Sequence, residues 1–285
     1  MTTTRQDYRD WLGRTEVRTD ILTPSAIARL LATLDRRPED AAGTAMPPLS
    51  HWLCFLPDEN QQDIGPDGHP KRGGFLPPVH ELPRRMWAGS RLAFHGALPV
   101  GVPLERRSTI ASIEDKQGGA GLLVFVTVRH EIAEPGGPVL VVDEHDIVYR
   151  GMGGPAAKPA SPAGAPGVWH RMLAPDAVLL FRYSALTFNG HRIHYDRDYA
   201  KHEEGYPGLV VHGPLIATLL LDLVQRNRPR AAVATFAFRA MSPLFDGGEL
   251  HLNGRPSSDG TVDLWAANRD GGLLMRAKVT LAEGG

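Results

Sequence analysis

Apolar residues at Ile27, Leu30, Leu31 and Leu34 recur at the i, i+3, i+4, i+7 spacing of a helix that buries one stripe. Thr23 just before them can cap that helix, and Pro24 suits a first position where no amide donor is needed. A helix is therefore predicted over Thr23 to Leu34. A second segment, Leu215-Ile-Ala-Thr-Leu-Leu-Leu-Asp-Leu-Val224, is apolar almost all round, which predicts a helix over Pro214 to Gln225 buried on every side. Runs with strand character occupy Arg91 to Phe94, Leu104 to Glu114, Gly121 to Ile132 and Val139 to Tyr149. Later in the chain the same character returns at Ala177 to Tyr183, Ala232 to Arg239, Glu249 to Arg255, Thr261 to Asn268 and Leu273 to Leu281.

Residues 151–168 are so rich in glycine, proline and alanine that neither helix nor strand can persist there. They predict a linker between an N-terminal half, 1–150, and a C-terminal half, 169–285. Each half offers a helix and then a run of antiparallel strands, which predicts an α+β unit used twice, with each sheet wrapping one helix. The duplication lies in the pattern, not in a residue-by-residue repeat. The βαβ alternation of a parallel doubly wound sheet is missing. Gly65-Pro-Asp-Gly-His-Pro-Lys-Arg-Gly-Gly74 is followed by no helix pattern, so it reads as a loop and not as a phosphate-binding turn.

At 285 residues, 42% hydrophobic and 22% charged, the chain has the composition of a globular protein with a sizeable core. A formal net charge of −1 argues against nucleic acid or an anionic membrane as the main partner. The single cysteine, Cys54, rules out an intrachain disulfide, and its setting in Trp52-Leu-Cys-Phe-Leu56 predicts a buried small hydrophobe. Met1 to Asp20 shows no apolar signal segment, and no apolar run approaches the roughly 20 residues of a membrane span. A cytoplasmic location is expected.

Candidate chemistry concentrates after residue 180. Asn189, His191, His194 and Asp196 lie within eight residues, and His212 and Gly213 open the apolar helix. The first amides of a helix lack intrahelical partners and carry the positive end of its dipole, so this junction can polarise a carbonyl. His191 and His194 sit three apart with Asp196 beyond, which are metal-ligand types, but beside the two histidines no third ligand stands at a convincing spacing and no metal is expected.

The segment Asn189-Gly-His-Arg-Ile-His194 resembles the start of the site in the MaoC-type hotdog acyl-thioester hydratases and dehydratases. Their pattern is Asp, any residue, Asn, Pro, an aliphatic residue and His. His194 falls on the family's catalytic histidine, Ile193 on the aliphatic position and Asn189 on the catalytic aspartate, while His191 stands in place of Asn and Arg192 in place of Pro. Val211-His-Gly-Pro-Leu215 is similar to the family's His-Gly opening of the central helix, whose glycine amide binds the thioester oxygen. Phe188-Asn-Gly-His-Arg-Ile-His-Tyr-Asp196 is most similar to the branch of mitochondrial type 2 3-hydroxyacyl-thioester dehydratases and of mesaconyl-C4-CoA and itaconyl-CoA hydratases. The likeness extends through Pro83-Arg-Arg-Met-Trp-Ala-Gly-Ser-Arg-Leu92 and Leu123-Val-Phe-Val-Thr-Val-Arg-His-Glu131. It implies an α+β double hotdog, two antiparallel sheets each wrapping a central helix, with the N-terminal half shaping an acyl pocket and the C-terminal half catalytic. It also implies a hydro-lyase acting on an acyl-CoA, with no cofactor beyond the coenzyme A of the substrate; hotdog units pair through their sheets, so the two halves are expected to complete one unit internally, with a further homodimer possible.

Addition of water across a double bond conjugated to a thioester needs a base for water, an acid for the α-carbon and donors for the enolate-like oxygen. His194 can be the base and the Gly213 amide the donor. Asn189 cannot exchange a proton as an aspartate would, although it can orient water; Asp196 or His191 could share the transfers. His212 is expected to order the helix start. Arg84, Arg85 and Arg91 around Trp87 could clamp a second carboxylate on the substrate, since a guanidinium fork matches a carboxylate, or could form ion pairs at a domain interface. The expected substrate is a short branched dicarboxylic acyl-CoA such as mesaconyl-C4-CoA or itaconyl-CoA. The alternatives are a dehydratase acting on acyl-carrier-protein thioesters and a non-catalytic acyl-thioester binder.

Overall fold

The structure is a computed structural model that describes residues 8–37, 46–118, 121–151 and 160–282; part of the expected linker, 152–159, lies outside the described residues. The N-terminal half contains β1 (Thr15–Ile21), α1 (Pro24–Thr33), β2 (Arg84–Phe94), β3 (Pro103–Gly118), β4 (Gly121–Ala133) and β5 (Val139–Arg150). The C-terminal half contains β6 (Trp169–Leu173), α2 (Ala177–Thr187), α3 (Arg197–His202), α4 (Gly213–Asn227), β7 (Val233–Ala240), β8 (Leu250–Pro256), β9 (Thr261–Ala267) and β10 (Leu273–Leu281). The strands form one antiparallel sheet in the order β1-β3-β4-β5-β2-β7-β10-β9-β8-β6. Outward from the β2–β7 junction, each half presents its second, fifth, fourth, third and first strand in turn. The duplicated pattern in the sequence is thus a duplicated fold, with the two half-sheets joined edge to edge.

The junction runs from Gly89 opposite Arg239 to Ala93 opposite Thr235. A Cβ on Gly89 would stand 2.3 Å from the Phe238 carbonyl oxygen, so only glycine lets the two halves approach this closely. In α4 every residue from Leu215 to Gln225 is buried, against β6, β8, β9 and β10. The one acid within it, Asp222, is buried with two partners: Arg171 and Arg226 each donate to its Oδ2 at 2.7 Å. In α1, Thr23 Oγ1 accepts from the Ala26 amide as its cap, and Leu30 and Leu34 join the core shared with α4. Cys54 is 3% exposed, and burial pushes its thiol up to about 12.

Several predicted elements change. The run from Ala177 to Tyr183 is not a strand but the first part of α2. Asp176 caps it by accepting from the Leu179 amide at 2.8 Å, and the buried Leu180, Tyr183 and Ser184 have helical spacing. Strand β2 begins at Arg84 instead of Arg91. The edge strands β1 and β6 carry too many charged or short segments to stand out from the sequence, and β1 alternates exposed and half-buried residues along its length.

Candidate active site

Helix α2 stops where Phe188 adopts a left-handed conformation with φ of 47°, and the amides of both Phe188 and Asn189 donate to the Ser184 carbonyl. The chain then turns sharply. Asn189 Oδ1 accepts from the His191 amide at 3.0 Å, an Asx turn that leads into the tight 3-10 turn Arg192–His194. Val210 returns alongside: its amide donates to the Ile193 carbonyl, and its own carbonyl accepts from His194 Nδ1 at 2.7 Å. His194 is 8% exposed, and its ring lies flat on that of His212, with centroids 3.6 Å apart. His212 is held in turn by Ser184 Oγ, 2.9 Å from its Nε2.

These contacts decide the proton positions. A carbonyl can only accept, so His194 Nδ1 carries the hydrogen and Nε2 of the neutral ring keeps a free lone pair. Burial, partly offset by the Val210 carbonyl, pulls the His194 pKa down to about 4, so the ring is neutral at neutral pH. Burial and the neighbouring His194 and His191 hold His212 well below its ordinary value. Gly213 opens α4 beside these rings, and a Cβ placed there would meet nothing within 4 Å. Its amide belongs to the first helical turn, where amides have no intrahelical acceptor.

A cavity of about 1270 Å³ opens in front of this segment, lined by residues of both halves. Asn189, Gly190 and Pro214 come from the C-terminal half; His69, Arg85, Trp87 and Tyr149 come from the N-terminal half. The arginine cluster of the sequence is divided. Arg84 is engaged by Glu204, at 3.2 Å to its carboxylate and 2.6 Å to its carbonyl. Arg91 is engaged by Asp146 and Glu144 on β5. Arg85 lines the cavity beside the Tyr149 hydroxyl, and it has no carboxylate partner among the described residues. Trp87 packs against His145 with ring centroids 4.1 Å apart. Arg192 pairs with Asp196, which also caps α3, and Arg197 pairs with Asp246. Asp196 is thereby engaged away from His194 and shares no proton with it.

Two features of the site were not anticipated. The first is the loop around Gly68, which reads as a loop in the sequence and is one in the structure, but which docks on the Asn189–Arg192 turn. The Arg192 amide donates to the Asp67 carbonyl at 2.9 Å. Gly68 has φ of +88°, and a Cβ there would stand 1.8 Å from the Gly190 carbonyl oxygen. This contact brings His69 to 4.0 Å from the His191 ring. Asp67 holds His69 twice, accepting from its amide at 3.0 Å and from Nδ1 at 3.1 Å. Burial raises the Asp67 carboxyl, but the bonds from His69 outweigh it and hold the group below the carboxylate range. Asp67, His69 and His191 each bring a ligand-type atom within 4.8 Å of the others. Asp67 Oδ2 and His69 Nδ1 are bonded to one another, and the His191 ring lies beside the pair. The second feature is Asp143, 1% exposed on β5, whose Oδ2 accepts from His145 at 2.7 Å, Trp52 at 2.9 Å and His51 at 3.0 Å. Burial raises this carboxyl too, and the two histidines hold it far below its ordinary value. The Asp-x-His spacing of Asp67 and His69, and again of Asp143 and His145, is the signal that could have been read from the sequence.

Two half-folds joined through one sheet, with a neutral buried imidazole facing the start of the second central helix, define a hotdog acyl-thioester hydro-lyase. Residues 49–246 match the hydroxyacyl-thioester dehydratase type 2 family. Mesaconyl-C(4)-CoA hydratase of Chloroflexus aurantiacus is 48% identical over 282 residues, covering 96% of this chain and 98% of that protein. The chain belongs to the hydroxyacyl-thioester dehydratase type 2 family. Among solved structures, a MaoC-like dehydratase from Phytophthora capsici superposes with a TM-score of 0.72 at 12% identity, covering 95% and 96% of the two chains. A conserved Mycobacterium tuberculosis protein with a double hotdog fold superposes with a TM-score of 0.56 at 13% identity, covering 95% and 96%. Among the described residues no helix is long and apolar enough to cross a membrane.

Proposed function

We propose that the protein adds water reversibly to a short branched dicarboxylic enoyl-CoA, with mesaconyl-C4-CoA as the first candidate and citramalyl-CoA as its product. The observation that carries this reading is Arg85, a guanidinium in the cavity wall without a carboxylate partner among the described residues. Its positive charge acts on both His69 and His191, beside His194. In mesaconyl-C4-CoA the free carboxylate sits on the β-carbon, which is also the carbon that receives the hydroxyl. Carboxylate binder and proton-transfer groups must then lie side by side, which the effect of Arg85 on His69 and His191 supports. The 48% identical relative named for this substrate supports the same choice.

In this reading His194 Nε2 takes a proton from water while the water oxygen bonds to the β-carbon. The π pair moves onto the thioester oxygen, which the Gly213 amide and the α4 dipole stabilise. The pair returns as the α-carbon takes up a proton. Asn189 Oδ1 is engaged by the His191 amide, which leaves its Nδ2 donors to hold the water. His212 stacks under His194 and keeps its ring in place.

The test follows the enoyl-thioester absorbance with mesaconyl-C4-CoA, itaconyl-CoA and crotonyl-CoA in parallel. A dicarboxylic substrate is expected to react much faster than crotonyl-CoA. Arg85→Gln should lower kcat/KM for it by about 10–100-fold, the worth of a hydrogen bond to a charged group, while changing crotonyl-CoA little. Equal rates for all three thioesters would refute the assignment. Silence with all three would point to an acyl-carrier-protein substrate or a non-catalytic binder. A cytoplasmic setting and a homodimer belong to the same proposal. Exposed apolar side chains such as Val168, Met172 and Val178 support association, and a single monomeric species in sedimentation would reject it.

A further inference from the structure

With Asn189 in the place of an aspartate and Asp196 engaged by Arg192, the C-terminal half contributes one competent base, His194, and no evident acid for the α-carbon. The structure fills this gap from the other half of the molecule. His69 lines the cavity together with Asn189 and Gly190, and its ring is 4.0 Å from that of His191, which lies 5.4 Å from that of His194. Its Nδ1 is tied to Asp67 Oδ2, so Nε2 is the nitrogen left for chemistry. The placement is built tightly: an Arg192 amide bond holds the Asp67 carbonyl, and Gly68 rests directly on Gly190. We propose that His69 is the second proton-transfer group of the hydration, facing the α-carbon, and that Asp67 is its positioning residue. The inference rests on the hydratase reading above.

The step balances with one proton held between two histidines. His194 takes the proton of water as the hydroxyl bonds to the β-carbon. His69 gives the proton on Nε2 to the α-carbon as the enolate pair returns. The proton on His194 then passes back to His69, with His191 lying between the two rings. Dehydration runs the same steps backwards. The charged and titratable groups that face His69 are Asp67 on its own loop, Arg72, Arg85 on β2 and His191, whose ring lies against it. Burial and the two arginines favour neutral His69, and Asp67 opposes them. A substrate carboxylate bound to Arg85 offsets one of those positive charges and so favours the protonated ring. A dicarboxylic substrate would therefore load the acid that acts on it, and discrimination against crotonyl-CoA should appear in kcat as well as in KM.

The experiment compares wild type, His69→Gln and Asp67→Asn with mesaconyl-C4-CoA and with α-deuterated citramalyl-CoA. His69→Gln is expected to lower kcat by about 10²–10⁴-fold with KM nearly unchanged, and to remove one limb of the pH profile. It should also raise the primary isotope effect on dehydration, because α-C–H cleavage becomes the slow step. Asp67→Asn keeps the histidine and should lower kcat less, moving that limb instead of abolishing it, so it reads the proposal even if His69→Gln folds poorly. Wild-type kcat in both variants, or a loss confined to KM, overturns the proposal. Inactivation of the wild type by a chelator, reversed by a divalent cation, overturns it in favour of a metal at Asp67, His69 and His191. If wild type converts crotonyl-CoA but not the dicarboxylic thioesters, the substrate reading has failed, and the same comparison on crotonyl-CoA decides His69 independently.

Discussion

Replacing Gly68 by alanine probes whether the N-terminal loop is part of the active site. Two costs can be separated. At φ of +88° a Cβ is strained wherever it sits, which costs about 1–2 kcal/mol and lowers the melting temperature by a few degrees. The second cost is positional. The new Cβ would stand 1.8 Å from the Gly190 carbonyl oxygen, where ordinary contact begins at 3.4 Å, so the two loops must part by about 1.6 Å. Neither neighbour is a flexible side-chain end; both are backbone. The displacement carries Asp67 and His69 on one side and Asn189 on the other. A misplacement of roughly 1 Å in catalytic groups costs on the order of 10²-fold in rate, so kcat should fall by about that factor. Gly13→Ala is the control: its φ is +77°, but nothing lies within 4 Å of the added Cβ. It should show a similar loss of melting temperature in circular dichroism and wild-type turnover in the enoyl-thioester assay. Wild-type kcat in Gly68→Ala would refute the reasoning, and so would an equal loss of kcat in Gly13→Ala.

His194→Ala should lower kcat by about 10²–10⁴-fold while the melting curve moves little, a ratio that turnover and calorimetry on one preparation measure directly. The depressed pKa of His194 makes stability depend on pH with a definite sign. The unfolded ring binds a proton near 6.5 and the folded ring only near 4, so stability is fully present above about 6.5 and falls as pH drops through this window. Each pKa unit is worth about 1.4 kcal/mol, giving roughly 3 kcal/mol from this one group; urea unfolding at pH 7 and pH 4.5 should show the loss, and His194→Ala should show less of it. Asn189→Asp restores a titratable group at the turn and should alter the pH profile of kcat without a large gain. A gain of two orders of magnitude would mean that proton transfer at residue 189 limits the native protein.

Local patterns in the sequence determined much of this protein. The helix over Pro214 to Gln225 was legible because a residue buried on all sides must be apolar on all sides, and α1 because cap, N1 proline and stripe agree. That Asn189 and His194 share one tight turn was legible because they are only five residues apart in the chain; that this turn meets the start of α4, where His212 stacks on His194, is a tertiary contact. The run from Ala177 to Tyr183 misled because a short apolar stretch rich in aromatic and branched residues satisfies both periods. Packing of α2 against α1 decided for the helix, with Asp176 as the neglected cap. The fates of Arg84, Arg85 and Arg91 could not be read locally. They depend on the bulge between Trp87 and Gly89 and on Glu204, Tyr149 and Asp146, residues distant in sequence. Asp67 and His69 belong to the same class, since they meet the Asn189–Arg192 turn only because Gly68 closes on Gly190 across the two halves. Short-range spacing carries through to the fold wherever one element holds all the partners; where the site is closed by a contact between halves, only the tertiary structure brings its residues together.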